Sequence, residues 1–116
     1  MDKKLEKALE FANYQQSLAI KRKTIKEKVD AKLTYGINGG LFKIDRSLIT
    51  FVQMLLNKGR SKNIPLIDSN GNPVMIEDLT AFSDEILDRY FSTTLEYYEK
   101  IQELNKARSV EKLLDV

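Results

Sequence analysis

At 116 residues, with 42% hydrophobic and 31% charged side chains, the chain has the make-up of one globular domain, neither membrane-embedded nor disordered. The absence of cysteine removes disulfides and thiolate chemistry, and the absence of histidine removes the usual neutral-pH acid–base group and the commonest transition-metal ligand. A net charge of +2 conceals a split, because residues 1–34 balance to +4, residues 35–76 to +3 and residues 77–116 to −5.

Residues 3–34 contain neither Gly nor Pro, and Phe11, Leu18, Ile25, Val29 and Leu33 recur at helical spacing. This predicts one basic helix about 48 Å long. Gln15 and Arg22 interrupt the stripe, so it is no clean coiled-coil seam, and a helix of that length is expected to project, break or pack on another copy. Gly36, Asn38, Gly39 and Gly40 mark its end, with Leu33–Tyr35 and Leu41–Ile44 as the strands of a first hairpin. These glycines lack the spacing, and the following helix, of a phosphate-binding loop.

Asp45 reads as the N-cap of a second helix over residues 45–58. Its Leu48, Ile49, Phe51, Val52, Leu55 and Leu56 are apolar nearly all round, which predicts burial, and Gly59 is its stop. Ile64–Ile67 and Val74–Ile76 then bracket a turn-rich segment from Asp68 to Pro73, predicting a second hairpin with Pro65 and Pro73 at edge positions. Asp68, Asn70 and Asn72 alternate as the opening ligands of a calcium loop do. Pro73 and Leu79, however, stand where that loop needs Gly and a bidentate Glu, so a turn closed by Asx hydrogen bonds is expected.

The last long helix is predicted from Glu77 or Asp78 to about Ala107. Leu79, Phe82, Ile86, Tyr90, Thr93, Tyr97, Ile101 and Leu104 form one stripe, and Leu87, Phe91, Leu95 and Tyr98 a second beside it. A face that wide satisfies two neighbours, one within the chain and one outside it, so Leu87, Phe91, Leu95 and Tyr98 are the candidate oligomer interface. Tyr90, Tyr97 and Tyr98 suit an aromatic interface, but their helical spacing makes core packing the favoured expectation, and both hold if the core spans a dimer. Asp84, Asp88, Glu96, Glu99 and Glu103 lie mostly outside the stripes and are expected to be solvated rather than catalytic. Ser109–Val116 forms either a capped final turn or a mobile tail.

The sharpest charged patch is Lys21, Arg22, Lys23, Lys26 and Lys28, the candidate nucleic-acid patch. It is short, helical and poor in stacking aromatics, and the competing expectation is a solvated face that pairs with the acidic last helix. It also lacks the strongly apolar opposite face of a lipid-binding helix, and no window approaches the roughly 18 apolar residues of a membrane span.

Three segments carry a resemblance: Phe11-Ala-Asn-Tyr-Gln-Gln16, Asn38-Gly-Gly-Leu-Phe-Lys-Ile44 and Arg108-Ser-Val-Glu-Lys-Leu113. Together they resemble small uncharacterised proteins of large marine tailed phages and ocean metagenomes. That resemblance implies virion assembly or takeover of host machinery, in a host bacterial cytoplasm, and transfers no active-site residues. The tail from Ser109 also resembles the C-terminal sliding-clamp-binding peptides of phage replication and transcription proteins, with Lys112 in place of the usual aromatic. The helix–hairpin–helix order is similar to that of prefoldin subunits, from which the 45–58 helix departs.

The expected fold is α+β and helix-dominated: two long outer helices, one buried central helix and two short β-hairpins in a single domain. Within residues 1–116, the basic helix is 1–34, the hairpin–helix–hairpin core 35–76, the acidic helix 77–107 and the tail 108–116. The opening Met-Asp-Lys-Lys leads into a charged pattern, so no secretory signal is expected and the location is read as cytoplasmic. The expected function is non-enzymatic protein–protein interaction by a homo-oligomer, as a phage assembly factor or adaptor without cofactor or metal. The alternative is a nucleic-acid-associated accessory factor in phage replication or transcription that uses the 21–28 patch.

Overall fold

The computed structural model describes residues 2–116. Four helices and four strands follow in the order α1 (Lys3–Lys32), β1 (Thr34–Ile37), β2 (Gly40–Lys43), α2 (Arg46–Asn57), β3 (Lys62–Ile67), β4 (Pro73–Asp78), α3 (Leu79–Lys106) and α4 (Val110–Leu114). The fold is the expected helix-dominated α+β arrangement with two antiparallel hairpins, β1–β2 and β3–β4. Contacts gather the chain into two compact units, and the boundaries fall inside α1 and α3. One unit comprises α1 up to Val29 together with Leu95–Val116, and the other is Asp30–Thr94.

In the unit Asp30–Thr94, local chemistry sets each element. Asn38 and Gly39 both take positive φ (50° and 79°), the two-residue turn whose twist matches a hairpin. It pairs Ile37 with Gly40 and Tyr35 with Phe42, a tighter hairpin than the predicted strand ends imply. Asp45 caps α2 as predicted, its Oδ1 accepting from the Leu48 N–H at 2.8 Å. At the other end the Gly59 N–H donates to Leu56 O and the Arg60 N–H to Leu55 O, the two bonds of a Schellman stop. Asp78 closes β4 and caps α3, its Oδ1 accepting from the Ala81 N–H at 3.2 Å.

The core of this unit joins Phe42 and Ile44 of the first hairpin, Val52 of α2, Leu66, Val74 and Ile76 of the second hairpin, and Leu79, Phe82 and Ile86 of α3. Phe82 meets Phe42 edge-on at 5.3 Å and stacks on Tyr35 at 6.0 Å. Gly40 lies buried against Val74, where a side chain would have no room. The 45–58 helix differs from the expected all-round burial. Val52 is fully buried and Leu48, Ile49, Leu55 and Leu56 partly so, but Phe51 and Met54 face solvent at 45% and 51% exposure. One helix face is all that two short hairpins and α3 can cover.

In the other unit a smaller core forms from Ile25 of α1, Leu104 and Ala107 at the end of α3, and Leu113 of α4, with Tyr14, Leu18, Val29, Tyr97 and Ile101 against it. The capped-turn alternative for the tail holds. Ser109 accepts from the Lys112 N–H at 3.3 Å, and Leu113 is fully buried. α1 is one unbroken helix of 30 residues, about 45 Å long.

Candidate functional site

The two stripes of α3 separate cleanly by exposure. Leu79, Phe82, Ile86, Thr93 and Leu104 of the inner stripe are buried, and Tyr90, Tyr97 and Ile101 partly so. Leu87, Phe91, Leu95 and Tyr98 are 49%, 70%, 49% and 63% exposed. Leu87 and Phe91 belong to the unit Asp30–Thr94, where with Asp88, Arg89 and Ser92 they line an open hollow of about 610 Å³. Leu95 and Tyr98 belong to the other unit. Of the three tyrosines expected in core packing, Tyr90 and Tyr97 pack on the cores and Tyr98 stands outside them. Asp84, Asp88, Glu96, Glu99 and Glu103 are all exposed. No group of three metal-ligating side chains gathers among the described residues.

The basic patch is dispersed by the helix that carries it. From the buried Ile25, Lys21 and Lys28 border the stripe on one side and Arg22 on the other, with Lys26 one turn beyond Arg22 on that same side. Lys21 is further engaged, its Nζ donating to the main-chain oxygen of Val116 at 3.0 Å. Lys23 and Lys26 turn outward, and Lys23 lies 4.0 Å from Glu27. The five cations are therefore not assembled into one track along a nucleic-acid backbone.

The Asp68 turn is a structural joint. Its Oδ2 accepts from the Leu41 N–H at 3.0 Å, and its Oδ1 from the N–H groups of Asn70 (3.0 Å) and Asn72 (2.9 Å). Beside it the Ser69 N–H donates to Leu41 O, and the Lys43 N–H donates to Ser69 Oγ. The turn of the second hairpin thus pairs with the free edge of β2, as a third strand would. These bonds hold the Asp68 carboxyl below its ordinary value, the Leu41 N–H contributing most and burial opposing it. The Asx-turn reading of Asp68, Asn70 and Asn72 is the one realised.

No family model, curated protein or solved structure matches this chain.

Three surfaces escaped the sequence reading. The α2 face with Phe51 and Met54, lined also by Arg46, Ser47 and Thr50, is an open hollow of about 530 Å³. Its signal was the four-residue rhythm Arg46, Thr50, Met54, Lys58, masked by the apolar residues between. A cleft of about 700 Å³ lies between α1 and α4, with Phe11, Tyr14 and Val110 among its walls, and the Tyr14 hydroxyl donates to Ala107 O at 2.9 Å. Arg89 stacks its guanidinium 4.3 Å over the Tyr35 ring and pairs with Glu85 at 2.6 Å. No helix of the described residues is long and apolar enough to cross a membrane.

Proposed function

We propose that this chain is a non-enzymatic interaction protein that self-associates through the outer row of α3. By the resemblance drawn above, its setting is phage assembly or adaptor work in a bacterial cytoplasm. The observation that carries the reading is the exposure of Leu87, Phe91, Leu95 and Tyr98 on a helix whose other apolar row is consumed by the cores. Half-exposed side chains of this size gain roughly 1–2 kcal/mol each on burial. Counted on both copies that is roughly 8–16 kcal/mol, the same size as an association cost of about 4–15 kcal/mol, so these contacts favour weak, concentration-dependent self-association. Light scattering over a concentration series tests it. A mass that rises with concentration, and falls back to the monomer in Phe91→Ser with Leu95→Ser, supports the reading, whereas a monomer at high micromolar concentration removes it.

The nucleic-acid alternative draws on Arg22, Lys23, Lys26 and Lys28, which are exposed. It requires salt-sensitive DNA or RNA binding that weakens in Arg22→Ala, Lys23→Ala and Lys26→Ala. The cluster is small, with Lys28 across the Ile25 stripe from Arg22, Lys23 and Lys26, which makes it the weaker reading, and the absence of any mobility shift at low salt would remove it.

A further inference from the structure

The unit Asp30–Thr94 carries two open apolar hollows on different helices, one centred on Phe51 and Met54 of α2 and one on Leu87 and Phe91 of α3. The α2 hollow has Arg46 as the charged residue of its lining, whereas the α3 hollow has Asp88 beside an Arg89 that Glu85 neutralises. Along α2, Arg46, Thr50, Met54 and Lys58 follow at four-residue steps, so cations bracket the apolar centre over about 18 Å. Along α3, Asp84 and Asp88 alternate with Leu87 and Phe91 at three- and four-residue steps, so carboxylates run beside the apolar pair.

These charges do little for the chain that bears them. Arg46 opens α2 without an acidic residue in that first turn, and there the helix dipole disfavours a cation. Asp84 and Asp88 are like charges one helical turn apart, a mutually repelling pair. Arg46, Asp84 and Asp88 are exposed, and none has an ion-pair partner among the described residues. Arg89, the cation nearest in sequence to Asp88, is already held by Glu85 and Tyr35. Local cost, missing partners and adjoining exposed apolar side chains thus coincide on both helices.

We infer that the Leu87–Phe91 face of α3 is covered by the Phe51–Met54 face of α2 from a second copy, with Arg46 set against Asp84 and Asp88. The inference rests on the self-association proposed above and specifies what lies opposite α3. The two halves are different surfaces, so the contact is heterologous and each copy offers one of each.

A charge-swap experiment on the full chain tests it by sedimentation velocity. Arg46→Glu places an acid against Asp84 and Asp88, and the double variant Asp84→Lys with Asp88→Lys places lysines against Arg46. Each alone is expected to weaken self-association at least about tenfold, because like charges then face each other. An equimolar mixture of the two is expected to restore association through contacts between unlike variants, since each such contact again sets opposite charges together. Recovery also requires that both variants are folded, and unchanged far-ultraviolet circular dichroism checks each separately. Should either charge reversal unfold, Arg46→Gln and Asp88→Asn are read instead, each expected to weaken association relative to the wild type, and an unchanged oligomer in both overturns the pairing. A wild-type oligomer indifferent to Arg46, or a mixture that stays dissociated, overturns this pairing while leaving self-association through α3 intact. A monomeric wild type overturns both.

Discussion

Replacing Gly40 with alanine isolates the close approach between the two hairpins. A Cβ built on Gly40 would overlap Val74 Cγ2 and lie 3.2 Å from both Val74 Cβ and Cγ1. Ordinary carbon–carbon contacts sit at about 3.5–4.0 Å. Rotating Val74 relieves little, because its Cβ is itself too close and a β-branched side chain has few rotamers. β2 and β4 must therefore separate, and both contribute core residues. Overpacking of this kind costs about 1–3 kcal/mol. Gly40 is not among the glycines with positive φ, so alanine suits the backbone and recovers roughly 0.4–1 kcal/mol by restricting the unfolded chain. The net expectation is a loss of about 1–2 kcal/mol, or a fall in Tm on the order of 4–8 °C at this chain length. Urea denaturation followed by circular dichroism should show a lower midpoint at unchanged slope. Val74→Ala alone should cost about 1.5–2 kcal/mol for two buried methyl groups. Combined with Gly40→Ala it should cost less than the sum of the two single changes, because both valine methyls are gone and only the 3.2 Å approach to the position 74 Cβ remains. Additivity within about 0.3 kcal/mol would show that steric conflict with Val74 is not what excludes a side chain at Gly40.

Leu113→Ala removes a fully buried side chain from the smaller core and should cost about 2–5 kcal/mol. Hydrogen exchange should show the loss as faster exchange around Tyr14–Ile25, and unchanged protection there would mean that α4 does not brace α1. Asp68 and Asp78 are both held below the ordinary carboxyl value of about 3.8, chiefly by the N–H groups of Leu41 and Ala81 respectively. The unfolded chain therefore binds more protons than the folded one between the folded and unfolded values. Their contribution is fully present above the unfolded value and is lost as pH falls through the folded value. Denaturation midpoints should accordingly drop below about pH 4, less steeply in Asp68→Asn, and an identical acid slope in that variant would refute the role of the joint.

What could be read in advance is local. Asp45 caps the backbone three residues on, Asn38 and Gly39 supply the φ values of a hairpin turn, and the α3 stripes follow from helical spacing alone. Each depends on neighbours within about a turn of chain. What was not legible is non-local. The apolar composition of α2 did not reveal how few partners would reach it, which leaves Phe51 and Met54 outside. Asp68 resembled a turn residue, and its bond to Leu41, 27 residues away, carries no sequence signature. The tail stood open between a capped turn and a mobile end, and the burial of Leu113 in one core with Leu104 and Ile25 decides for the first.

The sequence alone determined the helix and hairpin segments, the caps and turns that punctuate them, and two apolar rows on α3 with charge divided between the chain's ends. All of these follow from propensity, spacing and short-range hydrogen bonding. Only tertiary structure decided which apolar row would be spent on a core and which left open, because burial depends on what the remaining chain is long enough to cover. It also decided that the turn at Asp68 would close the edge of β2, and that Arg46, Asp84 and Asp88 would stand exposed, without an ion pair among the described residues, close to apolar hollows. The proposed interface follows from that uneven coverage.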